Sequence, residues 1–474
     1  MGSVISVSSV VNCFFLGVGL RVLRELRGKI RTQYINPNQK NTKVIMNHYR
    51  YICFDCGKKY SAPEIERKPY YLCPNCGTHQ PNEPLRGVLL IEYNYDSIRK
   101  KLTREDFLKI PAGQFWRYPF LWPLQFAQNN GVISFYQISE QMLYRLVLNA
   151  HPILQYEYKK RNLTFFNCTS NPTLSFKDRA SILVALKAIQ LKVKNIVAAS
   201  TGNAASSLAG ICARLGVEAH LFVPETIPEA KRIQIQAYGA NIYVVKGNYD
   251  QAFDVSIEIS NLNGWYNRNT AYNPLTIEGK KSAAYDIFLA TKGNLPDVIY
   301  VPVGDGVILS GIYKGFNELK LLRFIKKIPK LIAVQAEGSD ALCRYLKTNK
   351  FECQPVHTIA DSICAEAPRN LFMAADAVRS TSGKAISVND QQIIEAQKII
   401  SRKFGLMAEP AASATLAGYL KMQDNGELEN EKNVMLLITG HGLKDFESLK
   451  MGIELPASKT PTEWKNVFEQ LSKF

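Results

Sequence analysis

Asn171-Pro172-Thr173-Leu174-Ser175-Phe176-Lys177-Asp178-Arg179 decides how this chain is read. The stretch sets one lysine in a short polar loop directly ahead of a helical run, Ala180 to Leu191. A lysine so placed is able to act as an amine nucleophile rather than a solvated charge, and amines form Schiff bases with carbonyl compounds.

Working outward, three apolar strands each run into a loop that opens a helix. Asp297 to Val303 leads into Gly304-Asp305-Gly306-Val307-Ile308, where glycines let backbone N–H groups approach an anion closely at a helix start. Ile196 to Ala199 leads into Ser200-Thr201-Gly202-Asn203, which offers hydroxyls, amides and a carboxamide to a carboxylate or a phenolic oxygen. Val434 to Ile438 ends in Thr439-Gly440-His441-Gly442, where a neutral hydroxyl suits a pyridine nitrogen. A lysine, a phosphate cradle and these two sites are the parts that pyridoxal phosphate needs, and its ring acts as an electron sink.

The wider pattern is α/β. Strand-like runs at Asn195 to Ala199, Ala219 to Val223, Asn241 to Val245, Asp297 to Val303, Leu331 to Gln335 and Val434 to Thr439 alternate with helical stretches such as Ala204 to Leu215 and Glu229 to Tyr238. Alternation of this kind predicts parallel sheets covered by helices, with ligands at the carboxyl ends of the strands. Between Leu102 and Ala150 the pattern predicts helix and loop.

These motifs, with Val334-Gln335-Ala336-Glu337-Gly338-Ser339 and Glu409-Pro410-Ala411, stand in an order that resembles the threonine synthases, across roughly residues 47 to 450. Those are pyridoxal-phosphate enzymes of fold type II, the tryptophan-synthase-β fold. The resemblance implies two parallel-sheet α/β domains and a carbon–oxygen lyase acting on phosphate, which turns O-phosphohomoserine and water into threonine and phosphate. It implies Lys177 as Schiff-base lysine and proton carrier, Phe176 as its packing neighbour, and Asn203 on the ring oxygen. Gly304, Asp305, Gly306, Val307 and Ile308 are implied as the phosphate cradle, Thr439 as partner of the pyridine nitrogen, and Ser200, Thr201 and Gly202 as the substrate-carboxylate loop. It further implies a homodimer; the expected location is the cytoplasm, with residues 1–46 leaving an organellar or membrane-attached form open. A serine or threonine ammonia-lyase, or another elimination or replacement enzyme, shares the same cofactor and fold.

The sequence departs from the family pattern at defined places. Trp116-Arg117-Tyr118-Pro119 is present, but Ser134-Phe135-Tyr136-Gln137-Ile138-Ser139 stands where the family has a glycine-rich substrate loop. Leu174 and Ala180 replace glycines, and the cradle carries Asp305 and Val307-Ile308 where Asn and Gly-Asn are usual. An aspartate beside a phosphate requires its side chain to turn away so that the backbone does the binding. Asp178 and Arg179 are expected to pair and fix the lysine loop, His441 to be a hydrogen-bonded loop residue, and Glu278 to serve as a helix-start acid.

Cys53-Phe54-Asp55-Cys56 and Cys73-Pro74-Asn75-Cys76 are two Cys-x-x-Cys knuckles, each followed by glycine. That spacing predicts a four-cysteine zinc ribbon holding a structural metal. Six further cysteines are scattered singly, which suggests a reducing compartment. A zinc ribbon in a chain of net charge +17 also raises nucleic-acid binding as an alternative. Cations interspersed with acids, without an aromatic-interleaved basic stripe, argue against a specific nucleic-acid partner.

The chain of 474 residues, 46% hydrophobic, is long enough for two or three domains. The expected division is an N-terminal extension (1–46), the ribbon (47–95), a catalytic body (96–455) with a smaller mobile domain at about 200–290, and a tail (456–474). Residues 1–20 carry no charged side chain and are followed by five cations, the arginines at 21, 24, 27 and 31 and Lys29. A membrane anchor, an N-myristoylated start and a transit peptide compete there with an over-long start in which Met46 opens the protein, the favoured reading. No stable membrane insertion is expected.

Overall fold

A computed structural model describes residues 43–45, 48–111, 113–114, 118–129, 132–147, 153–158, 161–428, 431–451, 458 and 460–462. The expected N-terminal extension and C-terminal tail therefore lie almost wholly outside the described residues, as do Trp116 and Arg117.

The N-terminal strands are β1 (Lys43–Ile45), β2 (Tyr49–Cys53), β3 (Lys59–Ser61), β4 (Leu89–Tyr93), β5 (Phe126–Asn129) and β6 (Val132–Phe135). Alternating burial along β2 turns Tyr49, Tyr51 and Cys53 inward, as a strand period of two demands. β2 lies between β3 and β4 in an antiparallel sheet, with Tyr51 opposite Tyr60 and Ile91. β5 and β6 form a hairpin that also pairs with β1. The stretch expected to be helix and loop thus contains two strands. The signal was present: Asn130-Gly131 sits between short apolar runs, and Asn-Gly is a favoured hairpin dipeptide.

Beyond them come β7 (Ile153–Tyr158), β8 (Arg161–Asn167), β9 (Asn195–Ala199), β10 (Glu218–Pro224), β11 (Asn241–Val245), β12 (Tyr266–Asn267), β13 (Val298–Pro302), β14 (Lys330–Ala336), β15 (Lys384–Val388) and β16 (Asn433–Ile438). They form two sheets. A six-stranded sheet has the order β15-β14-β13-β16-β8-β7, parallel except for the edge strand β7. A four-stranded parallel sheet has the order β11-β10-β9-β12. All six strands read from the sequence are present.

Alternate residues of the large sheet feed two separate cores. Ile299, Val301, Leu331, Ala333, Met435 and Leu437 point to one, while Val298, Tyr300, Ile332, Val334, Val434 and Leu436 point to the other. Burial on both faces is why these strands read as continuous apolar runs. β13 is buried along its whole length, and each of its aliphatic side chains contributes roughly 1.5–3 kcal/mol.

The helices that matter for the site are α1 (Asp178–Gln190), α2 (Asn203–Leu215), α3 (Tyr249–Asn263), α4 (Leu275–Lys280), α5 (Val307–Leu321) and α6 (Pro410–Asp424). α2 and α5 begin within five residues of the ends of β9 and β13, and the loop that opens α1 is bridged to the end of β16 through Ser175 and Gly440, so the three N-termini gather at the carboxyl edges of the sheets. Among the described residues, no helix is long and apolar enough to cross a membrane.

Candidate active site

The lysine loop leaves β8 and is clipped to the end of β16. Phe176 N–H donates to Thr439 O at 2.8 Å, and His441 N–H donates to Leu174 O at 3.1 Å. Asn171 Nδ2 donates to Ser175 O at 2.9 Å, closing the loop on itself. Leu174 is held at φ +65°, a left-handed conformation that explains why a glycine suits that position. Lys177 follows at the start of α1 and lines two adjoining cavities.

Asp178 and Arg179 do not pair with each other. The Asp178 carboxylate accepts from Thr173 N–H at 2.8 Å and from the Thr173 hydroxyl, bracing the loop from inside. Arg179 Nη1 instead reaches Asp286 at 2.6 Å and Ser282 at 2.8 Å. Neighbouring residues on a helix point about 100° apart, so both carry out fixation through separate partners.

The larger cavity, about 480 Å³, is lined by Lys177, Asn203, Gly304 through Ile308, and Thr439. Eight of the nine residues matched to the cofactor thus meet in one space. Phe176 lies behind, fully buried, with the Arg179 guanidinium 5.5 Å from its ring. The adjoining cavity, about 450 Å³, takes in Ser200 and Thr201 beside Lys177 and Asn203. Gly202 does not line it; its N–H donates to Ser200 Oγ at 3.0 Å. At φ +139° a side chain on Gly202 would run into Lys231, 2.2 Å from its Cδ.

Charge at the site is uneven. Burial lowers the Lys177 pKa from its ordinary value, the Asp305 carboxylate opposes this, and the Arg268 guanidinium reinforces it. A lowered pKa favours the free amine, which is the nucleophilic form. The Asp305 carboxylate accepts from Tyr249 O–H and Arg369 N–H, both at 3.2 Å, which tethers it, and the residue lines both cavities. Asn203 Nδ2 donates to Ser362 at 2.9 Å and to both oxygens of Glu409 at 2.9 and 2.8 Å, which leaves its buried Oδ1 unpartnered.

Residues 151–440 match the family described as pyridoxal-phosphate dependent enzyme. The chain belongs to that family. Within it, this pyridoxal-phosphate enzyme is 33% identical over 408 residues to the threonine synthase of Methanocaldococcus jannaschii, covering 85% of this chain and 95% of that one. It is 31% identical over 410 residues to the threonine synthase of Methanosarcina acetivorans, covering 85% and 93%. It is a lyase of this threonine-synthase group. Solved structures share the fold: a pyridoxal 5'-phosphate-dependent aspartate racemase (TM-score 0.56, 22% identity, 64% of this chain and 94% of that one) and the serine racemase of Dictyostelium discoideum (TM-score 0.54, 23% identity, 64% and 96%).

The residues of this pyridoxal-phosphate enzyme fit its cofactor. One cavity offers an amine of lowered pKa, a helix start behind two glycines, and a hydroxyl at a strand end, with the buried carboxamide of unpartnered oxygen beside them. Of the altered segment, the described residues Phe135 to Ser139 line neither cavity. Gln190 Nε2, at the far end of α1 from Lys177, donates to Tyr136 O at 2.9 Å, and Ser139 caps the Glu140–Tyr144 helix.

The sequence reading missed several lining residues. Lys280 lies in the segment where only Glu278 was given a role, and Thr270, Tyr249 and Ser362 come from stretches with no motif. Glu409 stood in a motif without an assigned contact. His441 Nδ1 accepts from Leu443 N–H at 3.1 Å, a loop-capping bond. Glu278 sits in a buried cluster with Lys281 and Lys314, where Tyr93 also donates to it at 2.5 Å.

Away from this site, Cys53, Cys56, Cys73 and Cys76 bring their sulfurs within 4.8 Å of one another. Cys53–Cys76 is 3.4 Å and Cys56–Cys73 is 3.8 Å. Four sulfurs about 2.3 Å from one zinc stand roughly 3.8 Å apart, so the cluster fits a closed tetrahedral site. Backbone N–H groups of Cys56 and Asn75 point to Cys53 and Cys73 sulfurs at 3.4 Å, the arrangement that steadies thiolates.

Proposed function

We propose that this lyase is a threonine synthase, converting O-phosphohomoserine and water into threonine and phosphate. One observation carries the reading. Lys177, Asn203, the Gly304–Ile308 turn and Thr439 converge on one cavity, in a chain that matches a curated threonine synthase over 95% of its length.

In this reading Lys177 holds the cofactor, Asn203 faces the ring oxygen, the 304–308 backbone takes the phosphate, and Thr439 faces the pyridine nitrogen. The bound cofactor supplies an electron sink, and a neutral hydroxyl at that nitrogen moderates it toward elimination and replacement. Ser200, Thr201 and the N–H groups opening α2 receive the substrate carboxylate. Released from the cofactor, the Lys177 amine takes and returns protons at Cα and Cβ while phosphate leaves Cγ and water adds at Cβ.

The four cysteines would hold a structural zinc, which orders the β2–β4 module and takes no part in turnover. The resemblance also supports a homodimer, which sedimentation tests. Assay of threonine and phosphate release by the purified protein with pyridoxal phosphate tests the activity itself.

A further inference from the structure

Lys280 closes α4 and is 1% exposed. Its ammonium makes one weak hydrogen bond, to Thr270 Oγ1 at 3.3 Å, and among the described residues no carboxylate pairs with it. Its neighbour Lys281 shows the usual solution for such a charge, pairing with Glu278 and with Glu318 at 2.9 Å. Burial, reinforced by the Lys177 and Arg268 charges and opposed by Asp305, holds the Lys280 pKa well below its ordinary value, so the ammonium form is costly without a counterion and an anion from outside the chain is its natural complement.

The surroundings say which anion. Lys280 lines the cavity that contains the Gly304–Ile308 turn and Thr439, and not the adjoining one that contains Ser200 and Thr201. Its stem packs on α5 near the start of that helix, where a Cβ on Gly311 would stand 2.7 Å from Lys280 Cβ. Lys280 therefore lies against α5 and lines the same cavity as the N-terminus of that helix, whose backbone N–H groups suit an anion. The turn also carries Asp305, whose negative charge opposes a dianion and calls for a nearby cation.

We propose that Lys280 is a further cofactor-binding residue, its ammonium holding the cofactor's phosphate monoester dianion against the Gly304–Ile308 turn. The inference rests on the cofactor reading. Here the cradle is not backbone alone: a side-chain cation offsets the aspartate that replaces the family's asparagine.

The test titrates apoprotein with pyridoxal phosphate and, separately, with pyridoxal, which lacks the phosphate. Absorbance of the lysine-linked cofactor is the readout, with no turnover required. Lys280→Met is expected to weaken pyridoxal phosphate binding about 10- to 100-fold, as loss of a charge-assisted bond does, and to leave pyridoxal binding unchanged. Lys280→Gln, similar in length and able to hydrogen-bond Thr270, serves if the Met variant does not fold and is expected to show the same selective loss. Unchanged pyridoxal phosphate affinity, or equal losses for both compounds, overturns the inference and leaves the cofactor reading standing. A wild type that binds neither compound overturns both.

Discussion

Arg369 Nη2 stands 2.5 Å from Asp250 Oδ1, and its own main-chain N–H donates to Asp305 in the glycine turn. The same guanidinium donates to Glu83 O at 3.0 Å, and Leu85 N–H donates to Arg369 O at 3.2 Å. One fully buried arginine thus ties the cysteine module, α3 and the turn that faces Lys177.

Arg369→Met is expected to lose about 3–5 kcal/mol of stability, because it leaves the Asp250 carboxylate buried without its partner. Denaturant unfolding checks this. A loss below about 1 kcal/mol would show that the pair does not hold these elements together.

Asp250 gives the pair a pH signature. Burial raises its pKa to about 6, against an ordinary 3.8, although Arg369 pulls it down. A folded-state pKa above the unfolded one favours folding fully below 3.8, and that contribution is lost as pH rises through 6. Wild type is therefore expected to lose stability relative to Asp250→Asn between about pH 4 and 6, by about 1.4 kcal/mol for each pH unit crossed, with a flat difference above. A difference flat across the whole window would remove this account of Asp250.

Leu174 at φ +65° holds the lysine loop in a conformation that side chains resist. Leu174→Val, β-branched, is expected to lose about 1–2 kcal/mol, whereas Leu174→Gly stays within about 1 kcal/mol of wild type because relief of strain offsets the lost side chain. Thermal unfolding of the two variants should preserve that order. The reverse order would mean that packing, rather than backbone strain, decides the position.

Removal of the metal should act on the cysteine module first. Metal analysis is expected to find one zinc per chain. Chelation should expose the segment between Cys53 and Leu89 to protease, breaking the His79–Asp254 contact of 3.0 Å and the Asn267 N–H to Tyr71 bond of 2.7 Å. Protease resistance unchanged by chelation would remove the metal's structural role.

Much of the site was legible because it is local in sequence. The lysine loop spans nine residues, and the three strand-to-helix joints announce themselves by apolar runs that end in glycines. What stayed hidden depends on distant partners. Arg369 reads as one more surface cation until folding sets it against Asp250, 119 positions away. Lys280 and Lys281 look alike in sequence, and only tertiary contacts leave one unpaired beside the glycine turn. The Asp178–Arg179 expectation failed for a local reason, since helical neighbours diverge. β15 escaped because its half-buried edge residues lack the continuous apolar run of the central strands.

The central claim is that Lys177 turns over a phosphorylated amino acid. The most direct measurement is threonine and phosphate release from O-phosphohomoserine by wild type and Lys177→Ala, each supplied with pyridoxal phosphate. Release by wild type in equal amounts, falling by about 1000-fold or more in the variant, is the predicted result. Release that survives in Lys177→Ala, or a folded, cofactor-loaded wild type that releases neither product, would contradict it.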